Sequence, residues 1–170
     1  MSASIVVADA GPLHYLVLID CGEILGRLFD HVLIPFAVRD ELLHPRAPQK
    51  VKDWIISPRP WLELVPATQP QPVHGLHRGE TEALQLALER RADAVLMDDL
   101  DGRAAARRLG IPTIYTIAIL ELAAEKGLIQ LPAAIAKLQQ TSFFISQEIL
   151  DVALERDKER REKICASLSR

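Results

Sequence analysis

The sequence predicts an α/β fold built around a central parallel sheet, and three observations carry that reading. Ile5-Val6-Val7-Ala8, Val32-Leu33-Ile34 and Ala94-Val95-Leu96-Met97 are short unbroken apolar runs, the pattern of strands buried on both faces. Longer segments of helical period separate them, the alternation expected of βαβ units. Gly11-Pro12 and Pro35 closely follow the first two runs, and proline is favoured at the first helical position.

Composition sets the frame. At about 150 residues per domain, the 170 residues make one globular domain with a short appendage. A compact α/β unit is expected over residues 1–130 and a helical extension over 131–170. An apolar fraction of 49% with 25% charged residues excludes disorder. Cys21 and Cys165 lie far apart in the chain, so neither a disulfide framework nor a cysteine-based zinc site is indicated. Met1-Ser-Ala-Ser4 lacks the basic flank and cleavage site of a secretory leader. The longest apolar stretch, Ile111 to Ala124, contains Pro112 and Glu121 and falls short of the roughly 20 residues of a bilayer span. A cytoplasmic protein without a membrane segment is expected. The formal net charge of −3 argues against holding nucleic acid by bulk electrostatics; a nucleic-acid enzyme of this composition needs a local basic patch.

In chain order, the first strand covers residues 5–8 and Asp9 ends it. Helical stretches follow over 12–19 and 22–29, then a strand at 32–34 and a helix over 35–43 in which Val38, Glu41 and Leu42 share one face. The proline-rich segment 44–79 is the least regular, with a helix near 51–56, a strand at 61–65 and an exposed loop over 66–77. From Gly79 a strong helix runs to Arg90, with Ala83, Leu84, Ala87 and Leu88 as its buried stripe. Glu80 precedes Ala83 by three residues and Leu84 by four, so its carboxylate is expected to point inward while Glu82 points elsewhere. Asp98-Asp99 end the run 94–97, a helix covers 102–109, and the last strand is 111–115. A helix over 117–126 follows, with Gly127 as its cap. Residues 132–139 and 147–167 are two further helices, the last a solvated one with Glu159/Lys163 and Asp157/Arg161 at the favourable four-residue spacing.

In a parallel sheet, strand C-termini and the following helix N-termini share the edge where ligands of open α/β folds bind. Asp9 and Asp98-Asp99 are at strand ends, Glu80 is in the first turn of a helix, and Glu41 is expected near the start of another, facing the core. Singly, each has an ordinary explanation, such as a dipole partner for Glu80 or a cap for Asp99. Together, the four positions converge on one edge. Crowded carboxylates repel one another, and a divalent cation removes the conflict. All-oxygen ligands select a hard ion such as Mg²⁺ or Mn²⁺, which activates water for metal-assisted phosphodiester hydrolysis.

Arg103, one turn beyond Asp99, and Arg78, just before Gly79, are the basic residues expected to hold phosphate. Asp40, Glu82 and Asp101 are expected to be solvated. His74, His77 and Glu80 form an H-x-x-H-x-x-E pattern that zinc can use, but loop histidines flanked by proline and glycine are ordinarily exposed. Trp54 and Trp61 are expected in the core or an interface rather than stacked on bases.

Asp9 after the first strand, Glu41 in V-R-D-E-L-L, the runs H-R-G-E-T-E-A-L-Q-L-A-L-E and A-V-L-M-D-D-L-D-G-R-A-A-A-R-R-L-G-I, and the closing E-L-A-A-E-K-G-L-I resemble the PIN-domain family over nearly the whole chain. The match is closest to its bacterial and archaeal branch related to VapC toxins. The resemblance implies a three-layer α/β/α fold with a central parallel sheet and a C-terminal helical extension. It also implies a Mg²⁺- or Mn²⁺-dependent ribonuclease whose four acids fall on Asp9, Glu41, Glu80 and Asp99, with Asp98 as an additional metal ligand. In that scheme a metal bridges Asp9 and Asp99, Glu80 binds it directly or through water, and Glu41 orients or deprotonates the attacking water. Family toxins more often carry Asp where this chain has Glu80, so the carboxylate here reaches one methylene further. Where they place Thr or Ser this chain has Met97, which leaves Thr116, after Tyr115, as the hydroxyl candidate for placing water or phosphate. An RNA substrate, a toxin role with a small antitoxin partner, and a homodimer through an exposed Leu/Ile surface between Leu13 and Leu28 are implied in the same way.

A function of another class is a non-catalytic PIN-like module that binds RNA or a protein partner and keeps that binding after Asp9→Asn. A phosphoryl-accepting receiver-like domain fits less well, because the paired aspartates follow a late strand rather than the first.

Overall fold

The computed structural model describes residues 3–68 and 70–168. Met1 and Ser2, on which part of the no-leader expectation rests, and Gln69 in the expected loop lie outside the described residues. The chain clusters into two compact units, residues 1–116 and 117–170.

The first unit holds the sheet. Strands β1 (Ile5–Ala8), β2 (His31–Ile34), β3 (Leu62–Leu64), β4 (Ala94–Leu96) and β5 (Thr113–Ile114) are all parallel, in the order β3-β2-β1-β4-β5. Between them run α1 (Ala10–Leu18), a 3₁₀ turn (Gly22–Ile24) leading into α2 (Leu25–Leu28), α3 (Phe36–Leu42), α4 (Gln49–Ile56), α5 (Arg78–Arg90) and α6 (Leu100–Arg108). The parallel α/β architecture is the expected one. Val7, Leu33, Val95 and Met97 pack with Ala83, Leu84, Leu86 and Ala87 of α5 and Ala105 and Ala106 of α6. The alternate residues Val6, Ala8, Val32, Ile34, Ala94 and Leu96 are buried as well. Burial on both faces is why these strands read as unbroken apolar runs instead of alternating ones.

Two expectations about the apolar faces of this unit change. In α5, Leu88 is 43% exposed and Leu86 takes its place in the core. The first turns of that helix, Gly79 to Leu84, are buried on nearly every side, so the covered arc is wider than one stripe and rotated from it. Leu13, Leu16, Ile19, Ile24 and Leu25 are buried, so the exposed Leu/Ile surface expected of the early helices is instead core.

Helix α7 (Thr116–Glu125) begins on the last residue of the first unit, and the second unit holds the rest of it with α8 (Leu131–Leu138) and α9 (Gln147–Leu168). Gly127 has φ +69°, with Leu128 N–H donating to Ala123 C=O at 2.9 Å, the left-handed glycine cap expected there. In α9, Asp157 is buried rather than solvated and is paired with Arg160 and Arg161. No helix among the described residues is long and apolar enough to cross a membrane.

Candidate metal centre

The strand order reverses at β1, with β2 and β3 on one side and β4 and β5 on the other. The crevice beyond the C-terminal ends of β1 and β4 is therefore the ligand position of this sheet. Asp9 follows β1 and Asp98-Asp99 follow β4; Asp9 N–H donates to Leu96 C=O at 3.0 Å and ties the two ends together. Asp9 is 5% exposed, and its Oδ1 is buried without a hydrogen-bond partner among the described residues. Asp98 is half-buried and doubly held: Thr116 donates its backbone N–H to Oδ1 and its hydroxyl to Oδ2, both at 2.7 Å. The Thr116 hydroxyl proton is thus committed to a carboxylate. Gly11 lies beside both aspartates, since a β-carbon there would sit 3.6 Å from Asp98 Oδ2 and 4.0 Å from Asp9 Oδ2. Asp99 is exposed and caps α6 by accepting the Gly102 N–H at 2.9 Å.

The start of α5 brings in the next groups through a capping box. His77 Nδ1 accepts the Glu80 N–H at 3.4 Å, and Glu80 Oε2 accepts the His77 N–H at 3.1 Å. This exchange turns the Glu80 carboxylate inward, at 5% exposure. His77 Nε2 lies 2.9 Å from Glu80 Oε1, and Nδ1 lies 3.3 Å from Glu41 Oε1. One ligand atom from each of Asp9, His77 and Glu80 falls within 4.8 Å of the other two. The sequence reading leaves His77 among exposed loop residues; the H-R-G-E spacing at the head of a strong helix is the signal that finds it. His74 is exposed and outside this group, so the H-x-x-H-x-x-E zinc pattern is not assembled.

Glu41 reaches the site from another direction than expected. It occupies the last turn of α3, not its start, and its side chain is 39% exposed instead of facing the core. Its Oε1 rests against Gly79, where a β-carbon would overlap it.

The carboxylates are energetically uncomfortable. Burial pushes Asp9 up to about 6; Glu41 adds to the rise, while the Ala10 and Gly11 amides and His77 oppose it. Burial likewise raises Glu41, with Glu80 and Glu82 adding to it against His77 and the Gly79 amide. Glu80 is raised by burial and by Asp99 and Asp9, against the His77 amide and ring. Asp98 is raised by burial, against Thr116 and Arg103. Asp9, Glu41 and Glu80 therefore feel one another, and Glu80 feels the Asp99 charge as well. A divalent cation offsets both the burial and the repulsion, and the free Asp9 Oδ1 is a ready donor for it.

Arg103 lies with its guanidinium carbon 4.7 Å from the Tyr115 ring centroid, and its Nε is buried without a hydrogen-bond partner among the described residues. Arg78 projects into solvent and donates from Nε to Glu82 at 2.7 Å. Glu82 is not solvated: it is 7% exposed and accepts the Ala37 N–H at 3.1 Å, capping the first turn of α3. Asp40 and Asp101 are exposed, as expected. Met97 is fully buried with Sδ against Gly102, so it serves the core. Trp54 and Trp61 are half-buried rather than in the core; their rings lie 6.1 Å apart and Arg59 sits 4.2 Å over Trp54, so they pack on each other and on a cation.

This architecture recurs in a PilT N-terminus domain protein from the hyperthermophilic archaeon Sulfolobus solfataricus. It superposes with a TM-score of 0.52 at 22% identity, over 74% of this chain and 96% of that one, a likeness of fold. No curated protein matches the chain. The family model DUF3368, described as a PIN domain, matches residues 5–159 and so spans β1 through most of α9, every carboxylate of the crevice included. With that match over well more than half of its length, the chain belongs to the PIN-domain family.

Proposed function

We propose that the protein is a divalent-metal-dependent endoribonuclease using Mg²⁺ or Mn²⁺. Nuclease activity is typical of PIN domains, which generally use a divalent metal. The observation that carries the reading is the Oδ1 of the buried Asp9, unpartnered among the described residues, in a group where Glu80 and His77 also present ligand atoms. A buried acceptor left without a donor is costly, and a cation is what this set of donors suits.

Asp9, Glu80, Asp98 and Asp99 are the carboxylates that would hold the ion. When bound, it polarises the scissile phosphate and lowers the pKa of a water. The chain's own groups do the rest. Glu41, half-exposed and raised above the ordinary carboxylate range by burial, accepts the proton of the attacking water. Thr116 fixes Asp98 through two bonds, and the Gly102 amide fixes Asp99, so both carboxylates are set before substrate arrives. Arg103, steadied by Tyr115, presents a planar cation to a phosphate, and Arg78 is the further cation on the α5 side.

The direct test is cleavage of single-stranded RNA with Mn²⁺ or Mg²⁺, with and without chelator, against DNA of the same sequence. Cleavage is expected to need metal and to be lost in Asp9→Asn and Asp99→Asn. Metal-independent cleavage that survives both changes would overturn the reading, and RNA binding without cleavage in any metal would favour a non-catalytic module. The reading extends to a cytoplasmic toxin with a small antitoxin partner. Induced expression arresting growth, relieved by the product of an adjacent reading frame, tests that extension.

A further inference from the structure

We infer that His77 is a nitrogen ligand of this metal centre, binding through Nε2, and that it biases the site toward Mn²⁺ over Mg²⁺. The inference rests on the metal-dependent reading above but goes beyond its carboxylates. Adjacent donors about 2.1 Å from an octahedral ion lie about 3.0 Å apart, and His77 Nε2 is 2.9 Å from Glu80 Oε1. In the metal-free chain Nδ1 accepts the Glu80 N–H at 3.4 Å, but it also lies 3.3 Å from Glu41 Oε1, so when Nε2 binds an ion the ring proton moves to Nδ1 and Glu41 is the outer carboxylate that accepts its hydrogen bond in place of the capping contact. The third member of the group is Asp9, 5% exposed with Oδ1 unpartnered among the described residues. The imidazole is anchored by its own backbone, whose N–H is held by Glu80 Oε2 at 3.1 Å. Mn²⁺, a transition ion, exchanges a water for an imidazole nitrogen more readily than Mg²⁺, which demands oxygen donors and retains its waters.

The test uses the full chain with Mn²⁺ itself as the probe. Electron spin echo modulation of bound Mn²⁺ is expected to show ¹⁴N coupling in the wild type and in His74→Asn, and to lose it in His77→Asn. Asparagine is a favourable helix N-cap, so the variant keeps the capping acceptor, and the wild-type spectrum needs no variant at all. By calorimetric titration His77→Asn is expected to weaken Mn²⁺ binding by about tenfold or more and to leave Mg²⁺ binding near its wild-type value. Mn²⁺ bound without ¹⁴N coupling, or an unchanged Mn²⁺/Mg²⁺ ratio in His77→Asn, overturns the role of His77 alone. Failure of wild-type protein to bind Mn²⁺ at all overturns the metal-dependent reading together with it.

Discussion

The Glu41 carboxylate and the α-carbon of Gly79 are in such close contact that a β-carbon on residue 79 would overlap Oε1. Gly79 is in the first turn of α5, where alanine is favoured over glycine by up to about 1 kcal/mol in helix propensity. The overlapping atoms are the end of the flexible Glu41 side chain, with His77 Cε1 next at 3.3 Å, so Gly79→Ala is expected to fold with a melting temperature near or above wild type while Glu41 is displaced and His77 shifts by a few tenths of an ångström. RNA cleavage is expected to fall by about tenfold or more, since positioned general bases contribute about 10²–10⁴. Activity retained alongside an unchanged melting temperature would remove Glu41 from the mechanism.

Asp9 makes the metal-free protein sensitive to pH in a direction opposite to that of a salt-bridged aspartate. Its folded pKa is raised from 3.8 to about 6, so the folded chain binds this proton more tightly than the unfolded chain. The resulting stabilisation is full below the unfolded value and is lost as pH rises through about 6, a change of up to about 3 kcal/mol at one and a third kcal/mol per unit. Asp9→Asn carries no charge to bury. In chelator near neutral pH it is expected to melt several degrees above wild type, the gap closing below about pH 4, and to gain nothing from added Mn²⁺. Melting curves across pH, with chelator and with metal, check both halves.

How far the fold and the site are legible in the sequence depends on what each residue's neighbours are. Val7 and Val95 announce buried parallel strands because both of their faces are covered, which removes any alternation to misread. Glu80 is legible as inward because the α5 period places it on the buried side. The same period sends Glu82 to solvent, yet the first turn of α3 meets α5 there and the Ala37 amide needs an acceptor, a tertiary neighbour that one helix cannot reveal. Glu41 is misplaced for a related reason: α3 is only seven residues long, so its last turn reaches the crevice as readily as its first. His77 is hidden by its rarity as a cap, since Ser, Thr, Asp and Asn are the residues that ordinarily mark that position.

Thr116 is fully buried with both of its donors on Asp98. Thr116→Val keeps the shape and the backbone bond but removes the hydroxyl from Asp98 Oδ2, a hydrogen bond to a charged group worth about 1.5–3 kcal/mol. Urea unfolding is expected to show a loss of that size, with cleavage reduced, and Thr116→Ser should recover most of both. In a double-mutant cycle, Asp98→Asn should shrink the cost of Thr116→Val, because the two side chains share one bond. Independent effects would mean that the hydroxyl acts elsewhere.

Arg103 is the cation best prepared for a phosphate: it stacks on Tyr115 and leaves Nε without a partner among the described residues. Arg78, by contrast, already donates Nε to the buried Glu82. Binding of single-stranded RNA in chelator separates the two, because the slope of log K against log salt shrinks by about 0.7 for every phosphate the protein no longer neutralises. Arg103→Ala is expected to reduce the slope by about that amount and to weaken binding, while Arg78→Ala changes it less. Arg103→Lys keeps the charge but loses the planar stack, so it should hold the slope and still cleave more slowly than wild type. An unchanged salt slope in Arg103→Ala would mean that the phosphate backbone runs past another part of the crevice.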